Sequence, residues 1–311
     1  MDKLKSFLIN KHIEFYENFD IASVSSIKLG EGVRLAIFPK NIKQLENVVK
    51  YFFARKIYFR VFGNTSNVLF YKFINFPVVI TSKMLSEIKV NGCEVEASAG
   101  VLLSKLSDVL RKNELSGFEG LANIPASVGG AIKNGAGAFG YNIYDRLVSI
   151  SALVNGKNVE ILKNQINFKH HYSNLSGVFI LSAKFLFEKR NEYDIMKKLN
   201  EFAYLRAKSQ PVGFSLGSVY QKIGNNSAGF FIERSGLKGV KVGGLEVSNK
   251  HANFFVNDGT GTAIDFLRLS TLVESSVVAH FGVNLLPEIE KVGDIDEINS
   301  RLSHSFKQLK I

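Results

Sequence analysis

Ile124-Pro125-Ala126-Ser127-Val128-Gly129-Gly130-Ala131, followed by Asn134-Gly135-Ala136-Gly137-Ala138-Phe139-Gly140, is the stretch on which the fold turns. Six glycines and five alanines stand between Gly120 and Gly140. Side chains this small bury little apolar surface. The run makes sense where backbone must lie against something flat or charged. An isoalloxazine ring or a pyrophosphate has those properties. A small-residue helix packed tightly on a sheet would have the same composition.

Upstream, Val33 to Phe38 reads as a strand followed by Pro39, and Ile42 to Arg55 places Leu45, Val48, Val49 and Phe52 at helical spacing. Ile57 to Phe62 reads as a second strand, ending at Gly63. This is a βαβ unit, and the loop leaving its second strand is a common ligand site. That loop is Gly63-Asn64-Thr65-Ser66-Asn67. A glycine at the strand end permits close backbone approach. Small polar residues after it leave backbone N–H groups able to form an anion nest. A plain polar turn has the same residues. The loop is not a Walker loop, since no Gly-Lys-Ser/Thr follows, and it is not the dinucleotide fingerprint. Pro77 to Thr81 reads as a further strand.

Between these segments, Asn91-Gly92 predicts a tight hairpin turn of type I′. Leu102 to Lys112 reads as a helix with Leu103, Leu106 and Leu110 on one face. Downstream, Leu147 to Leu153 and Asn158 to Ile161 flank Asn155-Gly156 as a second hairpin, and Val178 to Phe187 reads as a strand. Tyr193 to Lys208 is charged and helical in pattern. Helices are also predicted near Ala228 to Gly236 and from Thr262 to Phe281.

The chain has 311 residues, 46% hydrophobic and 22% charged, which fits a folded protein of two domains. Cys93 is the one cysteine and there are six histidines, so neither a disulfide nor a resident metal centre is expected. Net charge is +11, from 39 basic and 28 acidic residues. That sign suits phosphate- or carboxylate-bearing partners, and a genome-wide bias toward Lys, Asn, Ile and Phe would produce it too. No motif of nucleic-acid recognition accompanies it, so no nucleic-acid partner is expected. No apolar run reaches the ~18–20 residues of a membrane span. Met1 to Asp20 mixes lysines and glutamates into a short amphipathic pattern unlike a secretory signal. The expected location is the cytoplasm, without membrane insertion, and the expected state is a monomer.

Two further residues stand out. Ser218, in Gly217-Ser218-Val219, could donate a proton if held, yet nothing local activates it as a nucleophile. Glu288 follows Pro287 in a mostly apolar stretch, where a carboxylate acquires a shifted pKa or a charge partner. On these residues alone, a loop serine and a surface-turn glutamate are the favoured readings. The adjacent His170-His171 point apart in any regular structure and do not make a ligand pair.

The order of segments resembles the UDP-N-acetylenolpyruvoylglucosamine reductase family. Gly63-Asn64-Thr65-Ser66-Asn67 is similar to its first flavin loop, usually Gly-Gly-Gly-Ser-Asn, and the stretch from Ile124 to Gly140 to its second. Arg206, Lys208, Gln210-Pro211, Gly217-Ser218-Val219, Ala228-Gly229, Ile232-Glu233, Gly236-Leu237-Lys238-Gly239, Gly243-Gly244, Val247-Ser248, Lys250-His251-Ala252, Phe254, Val256-Asn257 and Pro287-Glu288 follow its substrate domain in order. No inserted loop appears near Tyr172 to Val178, which resembles the shorter subtype.

The resemblance implies an α+β fold with a two-lobed FAD-binding domain of the PCMH or vanillyl-alcohol-oxidase type and a C-terminal α+β substrate-binding domain. The corresponding boundaries are 1–82 and 83–190 for the lobes, 191–209 for a linker helix, 210–296 for the substrate domain and 297–311 for a tail. It implies FAD as cofactor, NADPH as reductant and UDP-N-acetylglucosamine enolpyruvate as substrate. Flavin N5 would deliver hydride, Ser218 the proton, and Glu288 would assist. Flavin contacts would fall on Gly63, Asn64, Thr65, Ser66, Asn67, Ile124, Pro125, Ser127, Val128, Gly129, Gly130, Asn134, Gly137 and Ala138. The chain departs from the pattern at three places. Asn64-Thr65 replaces two glycines, and Gln221-Lys222 stands where Lys-Asn is common. His171 falls where the family carries an arginine, and it lacks that residue's fork and permanent charge. The last departure implies an alternative: a flavin- or UDP-sugar-binding relative with weak or altered activity.

Overall fold

The structure is a computed structural model and describes residues 2–82, 85–169 and 172–293. His170, His171 and the tail 297–311 lie outside the described residues. The chain forms two compact units, each discontinuous in sequence. The first comprises Met1–Glu17, Leu35–Asn64 and Phe76–Tyr204. The second comprises Asn18–Arg34, Thr65–Asn75 and the chain from Leu205 onward.

The first unit opens with helix α1 (Asp2–Asn10), which buries Leu4 and Leu8. Helix α2 (Ile42–Ala54) starts where the Asn41 side chain accepts the Gln44 N–H, and it buries Leu45, Val48, Val49 and Phe52. Its far end is a Schellman closure: Ile57 N–H donates to Phe52 O and Lys56 N–H to Phe53 O, with Lys56 at φ 54. Because Ile57 closes the helix, the expected strand 57–62 contracts to Arg60–Phe62.

A four-stranded sheet has the order Glu14–Phe19, Val33–Phe38, Ile74–Ile80, Arg60–Phe62. The two strands of the expected βαβ unit therefore share a sheet without being neighbours, since Ile74–Ile80 lies between them. Pro77 sits inside that central strand. Parallel pairing with Arg60–Phe62 begins only at Val78, one residue past the missing N–H.

The second lobe of this unit is a five-stranded antiparallel sheet. Its order is Lys157–Leu162, Leu147–Val154, Val178–Leu186, Glu94–Ser98, Ile88–Asn91. Asn155 and Gly156 both have positive φ, as a type I′ turn requires. At the first hairpin Asn91 pairs with Glu94, so the turn is Gly92-Cys93. Only Gly92 has positive φ there, which is the type II′ pattern and corrects the type I′ expectation. Helix α3 (Leu103–Lys112) and helix α4 (Val128–Lys133) cover this sheet through Leu103, Leu106, Leu110, Val128, Ala131 and Ile132. Helix α5 (Glu192–Ser209) follows, and Phe202 stacks on Phe139 with centroids 5.0 Å apart.

The second unit holds helix α6 (Ala228–Arg234), helix α7 (Ala263–Phe281) and a small antiparallel sheet of Lys241–Val242, Leu245–Val247 and Phe255–Asn257. A capping box between Thr262 and Asp265 opens α7, and Gly282, at φ 66, ends it. Val68–Phe70 pairs in parallel with Glu290–Val292. Ile27, Leu29, Leu69, Val219, Tyr220, Phe255, Phe266 and Ile289 belong to its core. Among the described residues, no helix is long and apolar enough to cross a membrane.

Candidate functional site

In the first unit, the two glycine-bearing stretches meet. A Cβ on Gly63 would stand 2.0 Å from Ser127 Oγ, so only glycine permits this approach. Asn64 Nδ2 donates to Pro125 O at 2.9 Å, and Ser82 Oγ donates to Gly63 O at 3.0 Å. Ser127 caps α4, its Oγ accepting the Gly130 N–H at 3.3 Å. The next amides are also engaged: Val128 N–H donates to Val101 O and Gly129 N–H to Ala99 O, both at 2.8 Å. The first turn of α4 is therefore bound within the protein. A Cβ on Gly129 would stand 2.9 Å from the Ala99 Cβ, so glycine there lets the helix start pack closely against Ala99. Ile124 and Pro125 precede the cap, Asn134 ends the helix, and Gly137-Ala138 pairs with Tyr141-Asn142 across a turn at Phe139 and Gly140. Phe139 and Gly140 both have positive φ.

Glu119 underpins this stretch and escaped the sequence reading. Its buried carboxylate accepts from Ser116 Oγ at 2.6 Å, Gly117 N at 3.1 Å and Phe118 N at 3.0 Å. Burial pushes the carboxyl up, but the serine hydroxyl and backbone donors outweigh it and hold it below the ordinary range.

In the second unit the first loop continues through Thr65, Ser66 and Asn67. Thr65 is 4% exposed at φ 55, a conformation that is costly for a β-branched residue. Its Oγ1 donates to Val24 O at 3.2 Å. The N–H groups of Ser66 and Asn67 have no partner among the described residues. With the Ser66 hydroxyl they form a donor set that fits the pyrophosphate of a dinucleotide cofactor.

The same unit pairs the segment that carries Ser218 with the segment that carries Glu288. Residues 218–221 form a strip that makes isolated bridges on both sides. On one side Ser218 bridges Phe254, and Val219 N–H donates to Asn253 O at 2.8 Å. On the other, Glu288 N–H donates to Val219 O at 2.8 Å and Gln221 N–H to Leu286 O at 2.9 Å. Gly217, at φ 76, turns the chain into this strip. Asn253, passed over between Ala252 and Phe254 in the motif reading, is buried. It accepts the Tyr220 N–H at 3.0 Å and donates to Tyr220 O at 2.8 Å. A lone asparagine in sequence carries no sign of such a two-ended backbone clamp. Burial pushes the Glu288 carboxyl up to about 7. Burial also pushes the His251 imidazole down, and its Nδ1 accepts the Asn253 N–H at 3.2 Å.

Residues 33–160 match a family of FAD-binding domains. Residues 210–292 match the C-terminal domain of UDP-N-acetylenolpyruvoylglucosamine reductase. A UDP-N-acetylenolpyruvoylglucosamine reductase from Caldanaerobacter subterraneus is 35% identical over 298 residues, covering 94% of this chain and 98% of its own. The Lactococcus lactis enzyme of that name is 34% identical, covering 89% and 94%. The crystal structure of the Thermus caldophilus reductase has a TM-score of 0.76 at 27% identity, covering 90% of this chain and 98% of its own.

Proposed function

The chain belongs to the UDP-N-acetylenolpyruvoylglucosamine reductase family, and from that premise we propose how its own residues perform the reaction. It is an FAD-dependent oxidoreductase that reduces UDP-N-acetylglucosamine enolpyruvate to UDP-N-acetylmuramate, with NADPH as reductant, in peptidoglycan precursor synthesis. Bound FAD supplies the hydride relay from NADPH to the enolpyruvyl methylene carbon. Gly63 to Asn67 would hold its pyrophosphate, and Gly129, Gly130, Gly137 and Ala138 would also contact it.

Ser218 completes the addition. Hydride on the methylene carbon leaves carbanion character on the carbon beside the carboxylate, and the Ser218 hydroxyl delivers the proton there. The serine regains its proton from solvent. Glu288 keeps a substantial protonated population near neutrality, so it can donate a hydrogen bond without placing a full negative charge beside the developing anion. The observation that carries this reading is the bond from Glu288 N–H to Val219 O, which sets the glutamate beside the serine strip.

The test separates the half-reactions anaerobically. Ser218→Ala is expected to leave flavin reduction by NADPH unchanged and to slow reoxidation by substrate by about 10²–10⁴-fold. Unchanged rates in both halves would remove the proton donor. Reoxidation should also fall as pH rises through about 7, where Glu288 loses its proton. Glu288→Gln should abolish that limb. Folding linkage has the same origin. The folded carboxyl binds its proton more tightly than the unfolded one, so its contribution is full below the unfolded value and is lost as pH rises toward 7. At pH 8 Glu288→Gln should be the more stable chain, by about 2 kcal/mol after allowing for partial exposure.

A further inference from the structure

Glu288 is held from two directions through its backbone. Its N–H donates to Val219 O at 2.8 Å, on the strip that carries Ser218. Its C=O accepts Nδ2–H of Asn67 at 3.1 Å. Asn67 also accepts the Glu290 N–H on its own C=O at 2.9 Å. From there the two chains run in register, Val68, Leu69 and Phe70 beside Glu290, Lys291 and Val292. Val68, Leu69 and Phe70 are all buried, so both faces of this strand pack into the core. The placement of Glu288, just before the paired strand, rests on the Asn67 carboxamide and on Val219.

Asn67 is also the last residue of the loop whose free donors fit a pyrophosphate. Two residues earlier Thr65 holds its left-handed backbone, a conformation maintained only where surrounding contacts over-determine it. We propose that Asn67 is a positioning residue: its carboxamide couples the conformation of the Gly63–Asn67 loop to the backbone of Glu288, and so holds that residue beside the segment that carries Ser218. Cofactor seated on the loop then stabilises the placement of the glutamate that serves the second half-reaction. This rests on the roles proposed above for Ser218 and Glu288.

The experiment uses the FAD-saturated full chain as wild type, Asn67→Ala, Glu288→Gln and the double variant. Because Asn67 also belongs to the cofactor loop, the readout at saturating FAD is the rate of reoxidation relative to reduction by NADPH, and that ratio is expected to fall in Asn67→Ala. At saturating substrate the fall is expected to be about 10–100-fold, the range a misplacement near 1 Å produces. The double variant should be no slower than Glu288→Gln, because Asn67 acts through that residue. Amide exchange supplies a readout independent of turnover. Adding FAD to the apoprotein should protect residues 63–66 and 288–292 in wild type, but only 63–66 in Asn67→Ala. If the alanine variant does not fold, Asn67→Asp keeps the shape, removes the donor and should give the same pattern. A wild-type ratio in Asn67→Ala at saturating FAD, slowing that multiplies in the double variant, or no FAD effect on 288–292 would each overturn the coupling. A wild-type rate in Glu288→Gln would instead remove the role of the glutamate, with amide exchange still deciding whether the loop and residues 288–292 are linked.

Discussion

The Gly63–Asn67 loop and the Gly120–Gly140 stretch are built in opposite ways. Both are glycine-bearing turns of the proposed cofactor site. The second stretch is built by omission: a Cβ on Gly120 would stand 2.6 Å from the Tyr141 ring and 2.7 Å from Ala138 O, and one on Gly129 would stand 2.9 Å from the Ala99 Cβ. Its glycines are there because backbone and ring atoms already occupy the space. The first loop uses glycine once, at Gly63, and then forces Thr65 into a conformation glycine would adopt freely. There the cost is offset by a buried hydroxyl bonded to Val24 O. Steric exclusion tolerates no substitution, whereas a balance between strain and a hydrogen bond tolerates several.

Gly120→Ala should break that contrast most visibly if it is wrong. The added methyl meets backbone oxygen and a packed ring, so urea unfolding should show a loss of about 3 kcal/mol. A loss under about 0.5 kcal/mol would mean that this stretch can give way after all. Ser127→Ala removes the cap of α4 and should cost about 1 kcal/mol by the same measurement, with flavin affinity falling alongside it. Stability unchanged to within error would show that the bonds to Ala99 O and Val101 O hold the helix start by themselves. Thr65→Gly should have the smallest effect, within about 1 kcal/mol of wild type, since relieved strain offsets the lost hydroxyl bond and the gained chain entropy. Thr65→Val keeps the strain and loses the bond, so it should be the less stable of the two. The reverse order would show that the hydroxyl contributes nothing and that packing alone holds the loop.

Local signals were legible where local physics decided the outcome. Helix α7 follows the Thr262 box and the Gly282 stop, and α2 starts at Asn41. Helix ends without glycine were not legible. Lys56 and His12 both take left-handed φ in Schellman closures, and the first of these made a strand seem to begin at Ile57. A lysine carries no propensity signal for that position and a histidine only a weak one, so the closed turn reveals it. Of the strand Ile74–Ile80 the sequence shows only the part from Pro77 onward, since a proline suits the first residue of a strand.

By itself the sequence determined the α+β character, the two glycine stretches, Ser218 and Glu288 as candidates, and the family through the order of its motifs. These depend on residue type and short spacing. Tertiary structure alone decided that Val68–Phe70 lies beside Glu290–Val292, that Asn67 reaches Glu288, and that Asn253 clamps Tyr220. Those pairs are separated by 33 to 222 residues. Closing such loops costs chain entropy that no local pattern encodes, and only the shared core around Leu69, Val219 and Ile289 stabilises them enough to form.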